Sequence, residues 1–325
     1  MNPQNDYIRE FLGVNDAWKD YTGQGVIVAT AEDFEHAGIN DHAYLTYQCL
    51  KEIAPDCEVI YLPMEGSNDA TFMSKQIAIM KERKVDIWFA SLSTLLSGLD
   101  VDPALAQTAD FCTWINSIGN ADTSGYSRFA EGKLVIGVGA FGINSDGSIQ
   151  PESFSSETEY VDFCAPDGFI FNHNYFYGTS ASAPALTGLL ARAICYIKAK
   201  TGKGLSSAAA YQLFLDLSHD FYTVGKDNKT GWGYVTLPAP ETIDISKYQT
   251  VAKKTIYRVQ VGAFGGRPNA EKMRASLIFH GYSGAFIKST DGIYRVQVGA
   301  FTVKENAENL LKQIKAQGFS AFVTT

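Results

Sequence analysis

The stretch "GTSASAPALTGLLARAICYI", Gly178 to Ile197, decides the fold of most of this chain. A Gly-Thr-Ser turn runs straight into a long apolar segment whose spacing predicts a helix over 182–200. Pro184 falls in the first turn, where a missing N–H costs nothing. Ser180 then stands at a helix N-terminus, whose free N–H groups and dipole favour a developing negative charge. Gly178, Ala181, Ser182 and Ala183 are small enough to let a second backbone come close. Ser is also a good N-cap, so an ordinary capped helix is the plainer reading. The string "GTSASAP" holds more small residues than a cap needs.

Around this segment, apolar runs alternate with helical ones. "VIVATA" (26–31), "EVIYLP" (58–63), "VDIWFA" (85–90), "TWINSI" (113–118) and "LVIGVGA" (134–140) read as strands, and 42–53 and 69–83 as helices. The alternation predicts an α/β fold, a mostly parallel sheet with helices on both faces. Such sheets build their sites at the carboxyl edge of the strands. "GVIVATAED" (25–33) delivers two carboxylates to that edge, Glu32 and Asp33. The strand alone does not choose between them, nor between an acid with a chemical role and a loop carboxylate.

The 325 residues suffice for one large domain and one small one. A hydrophobic fraction of 46% against 19% charged residues suits a globular chain with a sizeable core. The formal net charge of −8 argues against nucleic acid or an anionic membrane surface as partner. No apolar run approaches the ~20 residues of a bilayer span. The start "MNPQNDYIREFLG" has neither a basic n-region nor an apolar h-region, so no signal peptide is expected. Five cysteines in apolar contexts, without metal-ligand spacing, read as buried free thiols from a reducing compartment. Neither a metal nor a cofactor is implied.

"YRVQVGAF" occurs at 257–264 and again at 294–301, an offset of 37 (294 − 257). "NAE" at 269–271 and Gly281 recur at the same offset, at 306–308 and Gly318. Each copy reads strand, helix, strand, and one copy is too small to bury its own sheet face. Two copies give β-α-β-β-α-β, the ferredoxin-like arrangement of a small α+β domain. Alternation along the first strands puts Tyr257, Val259 and Val261 beneath the helices. Arg258, Gln260, Arg295 and Gln297 are left on the open face, where a sugar chain could lie. "LPAPETIDISKYQTVAKK" (237–254) has two prolines and no strong periodicity, which marks a boundary. The expected division is therefore 1–238, a linker at 239–254, and 255–325.

The doubled "YRVQVGAF…NAE" resembles the SPOR peptidoglycan-binding domain, in the tandem form carried by bacterial and phage cell-wall lytic amidases. "GTSASAPALTGLL" resembles the nucleophile segment of subtilisin-like serine proteases. Other stretches agree with that family along most of 12–238: "AWKDYTGQGVIVA" before the acid, "ASLST" (90–94) for the strand that pairs with substrate, and "SIGN" (117–120) for the oxyanion side chain. "SFSS", "DFCAPDG" and "TGWGYVTLP" agree as well. The resemblance implies a nucleophile at Ser180, an oxyanion donor at Asn120 and substrate contacts at Ser91, Leu92 and Ser93, the last in place of the family's Gly.

Two departures stand out. The family's Gly-rich His motif is absent, and "NDHAYLTYQCL" offers His42 at a helix start in the chain order acid, His, Ser. His36 is its rival in a loop; His173, His219 and His280 come too late. Alignment on "GQGVIVATAE" puts Glu32 where the family has Asp, with Asp33 next to it as the rival acid. The expectation is a serine endopeptidase acting on peptide or protein substrates and tethered to peptidoglycan glycan strands. It would be synthesised in the cytoplasm and reach the cell wall or the exterior without a recognisable signal peptide, as a phage or prophage lysis-associated protein would. The alternative is a subtilase-like shell without activity, targeted to the wall as a binding protein.

Overall fold

In a computed structural model, the structure describes residues 1–62, 70–92, 97–249, 257–290, 292–301 and 304–324, with backbone alone at 70–74. The chain divides into two units, Met1–Val251 and Ala252–Thr325.

In the first unit the strands are β1 (Ile27–Thr30), β2 (Glu58–Tyr61), β3 (Ile87–Ala90), β4 (Thr113–Ser117), β5 (Val135–Ile143), β6 (Ile149–Pro151), β7 (Phe163–Pro166), β8 (Phe169–Phe171), β9 (Asn174–Phe176), β10 (Ser218–His219) and β11 (Tyr234–Val235). The helices are α1 (Asp6–Phe11), α2 (His42–Ile53), α3 (Ala70–Arg83), α4 (Gly98–Leu105), α5 (Thr179–Thr201), α6 (Ser207–Asp216) and the turn α7 (Ser246–Gln249). One sheet runs β10-β11-β7-β5-β4-β3-β1-β2, with β6 added to the end of β5. Its pairings from β11 to β2 are all parallel. β8 and β9 form a separate hairpin that leads into α5.

Alternation along the strands makes two cores. Val28, Ile87, Phe89, Ile115 and Val138 face α2, α5 and α6. Ala29, Trp88, Ala90, Trp114 and Val135 face the other way, with Met80, Leu105 and Phe129. This is the mostly parallel, helix-flanked sheet that the sequence predicts.

α5 is the axis of the larger core. It is 23 residues long, and its mean hydropathy of 1.2 makes it apolar enough to cross a membrane by length and composition. That corrects the expectation that no run approaches such a length. The apolar window is 94% buried inside the protein, as a core helix is. Gly188 brings α5 against α2: a Cβ there would stand 2.5 Å from the Cβ of Ile53. Four residues on, the buried Arg192 donates to Ile53 O at the end of α2 and to Trp18 O at 2.9 Å. α2 is thus held by α5 through both packing and hydrogen bonds. The five cysteines are free and buried; burial pushes Cys57 up to about 11, so it is a poor nucleophile.

The stretch read as a linker does not behave as one up to Gln249. Pro240–Thr242 form a 3₁₀ turn, Ile243 and Tyr248 join the larger core, and the Tyr248 hydroxyl donates to Asp216 at 2.8 Å. A four-residue helical turn is too short to carry a readable period, so its burial is a tertiary fact.

The second unit is β12 (Tyr257–Phe264), α8 (Arg267–Phe279), β13 (Ala285–Thr290), β14 (Ile293–Phe301), α9 (Lys304–Ala316) and β15 (Phe322–Thr324). Its antiparallel sheet runs β13-β14-β12-β15, so the two repeated strands are central neighbours. Val259, Val261, Val296 and Val298 pack on Ala270, Leu277, Ala307 and Ile314 of the two helices.

Candidate active site

β1 ends at Thr30, and the next two residues part company. Glu32 turns inward and is 3% exposed. Its Oε1 accepts from the Ser91 N–H at 2.9 Å; its Oε2 accepts from the Thr46 hydroxyl at 3.1 Å and faces His42 Nδ1 at 2.7 Å. Asp33 turns outward and pairs with His36 Nδ1 at 2.9 Å, on the surface. The chain bends at Ala31–Glu32 and the Phe34 N–H closes back on Glu32 O at 2.9 Å, a turn that separates the two carboxylates.

His42 opens α2, and Thr46 lies one turn later on the same helix face, so both reach Glu32. With Nδ1–H donated to Glu32, Nε2 is the basic nitrogen and points away from the carboxylate. The hydrogen bond to Glu32 raises the His42 pKa above the ordinary imidazole value; partial burial opposes this, and the negative charge of Glu32 adds to it. The edge of Phe176 packs on the ring at 5.8 Å.

Ser180 is the second residue of α5, where no intrahelical acceptor meets its N–H. Gly178 caps the helix at φ +102°, a conformation open to Gly, and a Cβ there would lie 3.0 Å from Asn120 Nδ2. Asn120 Oδ1 accepts from Thr179 N at 3.0 Å and from the Thr179 hydroxyl at 2.9 Å. Those two donors fix the amide, which leaves Nδ2 without a hydrogen bond among the described residues. The Ser180 hydroxyl donates to Ser91 O at 3.3 Å, and the Ser91 hydroxyl donates to Ser180 O at 3.1 Å. No hydrogen bond joins Ser180 to His42 among the described residues.

Ser91 and Leu92 extend the line of β3 past Ala90. Ser91 is buried, Leu92 is half exposed, and Leu92 O accepts from Ser127 at 3.2 Å. Ser93 lies outside the described residues. His173, His219 and His280 are elsewhere: His173 in the turn of the β8–β9 hairpin, His219 on Thr236 at 2.8 Å, and His280 in the second unit.

Two supports are not singled out by the sequence reading. Thr46 was signalled only by its spacing of four from His42. Asp167, in "CAPDG", holds the Gly178 N–H at 2.9 Å through Oδ2. Burial pushes its pKa up to about 6; the Gly178 hydrogen bond works against this, and the charge of Glu152 adds to it.

On the second unit, Arg258, Gln260, Arg295 and Gln297 line one groove with Lys288, Thr290 and Thr324, a cavity of about 260 Å³. Gln260 pairs in register with Gln297, its own repeat equivalent (297 − 260 = 37), and Arg258 and Ala300 mirror Arg295 and Ala263. The two glutamines sit on a pseudo-twofold axis, and the arginines flank it. Expected on an open face, both glutamines are instead buried, at 6% and 3% exposure, as the groove floor. Bulges on either side of Gln260 draw the central strands around it. Gln297 Nε2 reaches Gln260 Oε1 at 3.4 Å, while Gln297 Oε1 is buried without a partner among the described residues.

Residues 253–325 match the family described as SPOR domain. A search of curated proteins finds no match. Among solved structures, a lanthipeptide protease is similar at 14% identity and TM-score 0.57, over 72% of this chain and 93% of that one. The prenylagaramide maturation protease PagA is similar at 18% identity and TM-score 0.55, over 70% and 98%. The psychrophilic subtilisin-like protease Apa1 from Pseudoalteromonas sp. AS-11 is similar at 10% identity and TM-score 0.57, over 72% and 96%. The fold is that of the subtilisin-like proteases, followed by a SPOR domain.

Proposed function

We propose that the chain is a serine endopeptidase whose SPOR domain tethers it to peptidoglycan. What supports this reading is that one sheet edge holds Ser180 at a helix start, joined through Ser91 to the His42–Glu32 pair, and an Asn120 amide held by Thr179 beside it. Serine hydrolysis needs these four roles. Rotation about χ1 of Ser180 takes Oγ from Ser91 O to the substrate carbonyl. His42 Nε2 accepts its proton and returns it to the leaving amine. Glu32 holds the imidazole tautomer and stabilises imidazolium; Ser91 N–H and Thr46 hold Glu32. Asn120 Nδ2 and the Ser180 N–H meet the oxyanion. Substrate backbone lies along Ser91, Leu92 and Ser93.

In the second unit a glycan strand fills the groove. Its hydroxyls give the orphaned Gln297 acceptor a donor and take hydrogen bonds from the two flanking arginines. Wall-associated proteins or peptide cross-links are the substrates. A phage or prophage lysis role accords with such a pairing of activities.

A second reading, an inactive shell that binds the wall, draws support from the Ser180 hydroxyl being engaged by Ser91 O rather than His42. A fluorophosphonate probe separates the two: covalent labelling that disappears in Ser180→Ala supports the enzyme, and no labelling supports the shell.

A further inference from the structure

Next to Gly178 a cleft of about 760 Å³ opens, lined by Tyr177 and by Asp167, which holds the Gly178 N–H, but by neither Ser91 nor Leu92. Tyr177, immediately before Gly178, forms its near wall with Phe154, their ring centroids 6.1 Å apart. Tyr7 and Tyr175 add two more aromatic faces. Tyr175 and Tyr177 are 70% and 66% exposed, unusual for rings of this size. Three carboxylates line the cleft, those of Asp167, Glu152 and Glu10, and among the described residues no lysine or arginine does.

Those carboxylates have unused capacity. Asp167 is 6% exposed, and its Oδ2 takes the Gly178 N–H, while Oδ1 has no hydrogen-bond partner among the described residues. The Glu152 and Glu10 carboxylates make no hydrogen bond or ion pair among those residues. A buried carboxylate next to a second, with no counter-charge, is a costly arrangement for the empty protein. The raised pKa of Asp167 is the expression of that cost. Aromatic faces beside carboxylates form a lining that favours an alkyl-ammonium or guanidinium group: the stem packs on the rings and the charge meets the carboxylates.

We propose that this cleft is a specificity pocket for a cationic side chain, that of a basic or diamino acid residue, on the leaving-group side of the scissile bond. The inference rests on the endopeptidase reading. In that reading the acyl half of the substrate runs beside Ser91 and Leu92, neither of which lines the cleft. The leaving half crosses Gly178 and meets Tyr177.

The test is digestion of a mixed peptide library by the full-length protein, read by mass spectrometry, for wild type, Ser180→Ala, Glu152→Lys, Glu152→Gln and Asp167→Asn. Wild type should show lysine and arginine enriched about fivefold at one of the first two positions after the cut, the order of one partly exposed ion pair. Glu152→Lys should turn that preference toward aspartate and glutamate, which a merely structural role would not do. Glu152→Gln and Asp167→Asn should each weaken it. Ser180-dependent cutting with no charge preference after the bond, or with one that these variants leave unchanged, overturns the pocket and leaves the endopeptidase standing. Absence of any Ser180-dependent cut overturns the endopeptidase and the pocket with it.

Discussion

Two carboxylate–imidazole pairs lie within a dozen residues of each other, and they differ in what surrounds them. Glu32 and His42 meet at 2.7 Å, Asp33 and His36 at 2.9 Å. The Glu32 side chain is 2% exposed, and that of Asp33 39%; His42 is 44% exposed and His36 79%. Distance does not distinguish the pairs. Glu32 is gripped by the Ser91 N–H beyond β3 and by two side chains of α2, the His42 imidazole and the Thr46 hydroxyl. Asp33 and His36 close a local turn that water reaches from every side. An exposed ion pair of that kind is screened by water and contributes little, whereas a buried, multiply bonded acid can dictate orientation.

The comparison can be broken or sharpened by experiment. The largest effect expected is that of Ser180→Ala, a loss of about 10⁶ in kcat on a peptide substrate with the fold retained; unchanged turnover would remove the nucleophile and with it the meaning of the nearby pair. Glu32→Gln keeps the shape, removes the charge, and should cost about 10⁴ in kcat. A large loss in Asp33→Asn instead would reverse the assignment of the two acids. Asn120→Ala should lower kcat by about 10²–10³, the effect of one oxyanion donor, and steady-state kinetics with KM unchanged would locate that loss in the transition state.

A pH profile gives a smaller but more direct reading. On the proposed mechanism His42 serves as a base only when neutral, so activity should be lost as pH falls through its pKa. Glu32 holds that pKa above the ordinary value, so the acid limb of kcat/KM should lie above the ordinary imidazole range in wild type and move to lower pH in Glu32→Gln. An unmoved limb would detach Glu32 from His42. The smallest expected effect is on Asp33→Asn, below about threefold in turnover, because its partner is exposed.

In the second unit, Arg258→Ala with Arg295→Ala should weaken co-sedimentation with peptidoglycan sacculi about tenfold or more, since each arginine loses charge-assisted hydrogen bonds. Equal binding by a truncated chain ending at Gln249 would place wall recognition elsewhere.

Several features are legible in the sequence by itself. Periodicity located β1 to β5 and α2, and small residues before a long apolar run located Ser180 at the start of α5. The 37-residue offset gave the β-α-β-β-α-β unit. These follow from chemistry local in sequence: side-chain period, turn residues and repetition. Tertiary structure alone decided the rest, because it depends on groups far apart in the chain. Ser91 N–H, 59 residues from Glu32, selects that carboxylate. Two apolar residues beyond Pro238, Ile243 and Tyr248, turn an expected linker into core. Gln260 and Gln297 become a buried floor only because bulges bring the two repeated strands into register on their own symmetry axis. A sequence names the residues able to serve such roles; folding determines which of them share a neighbour, a dielectric environment and a direction.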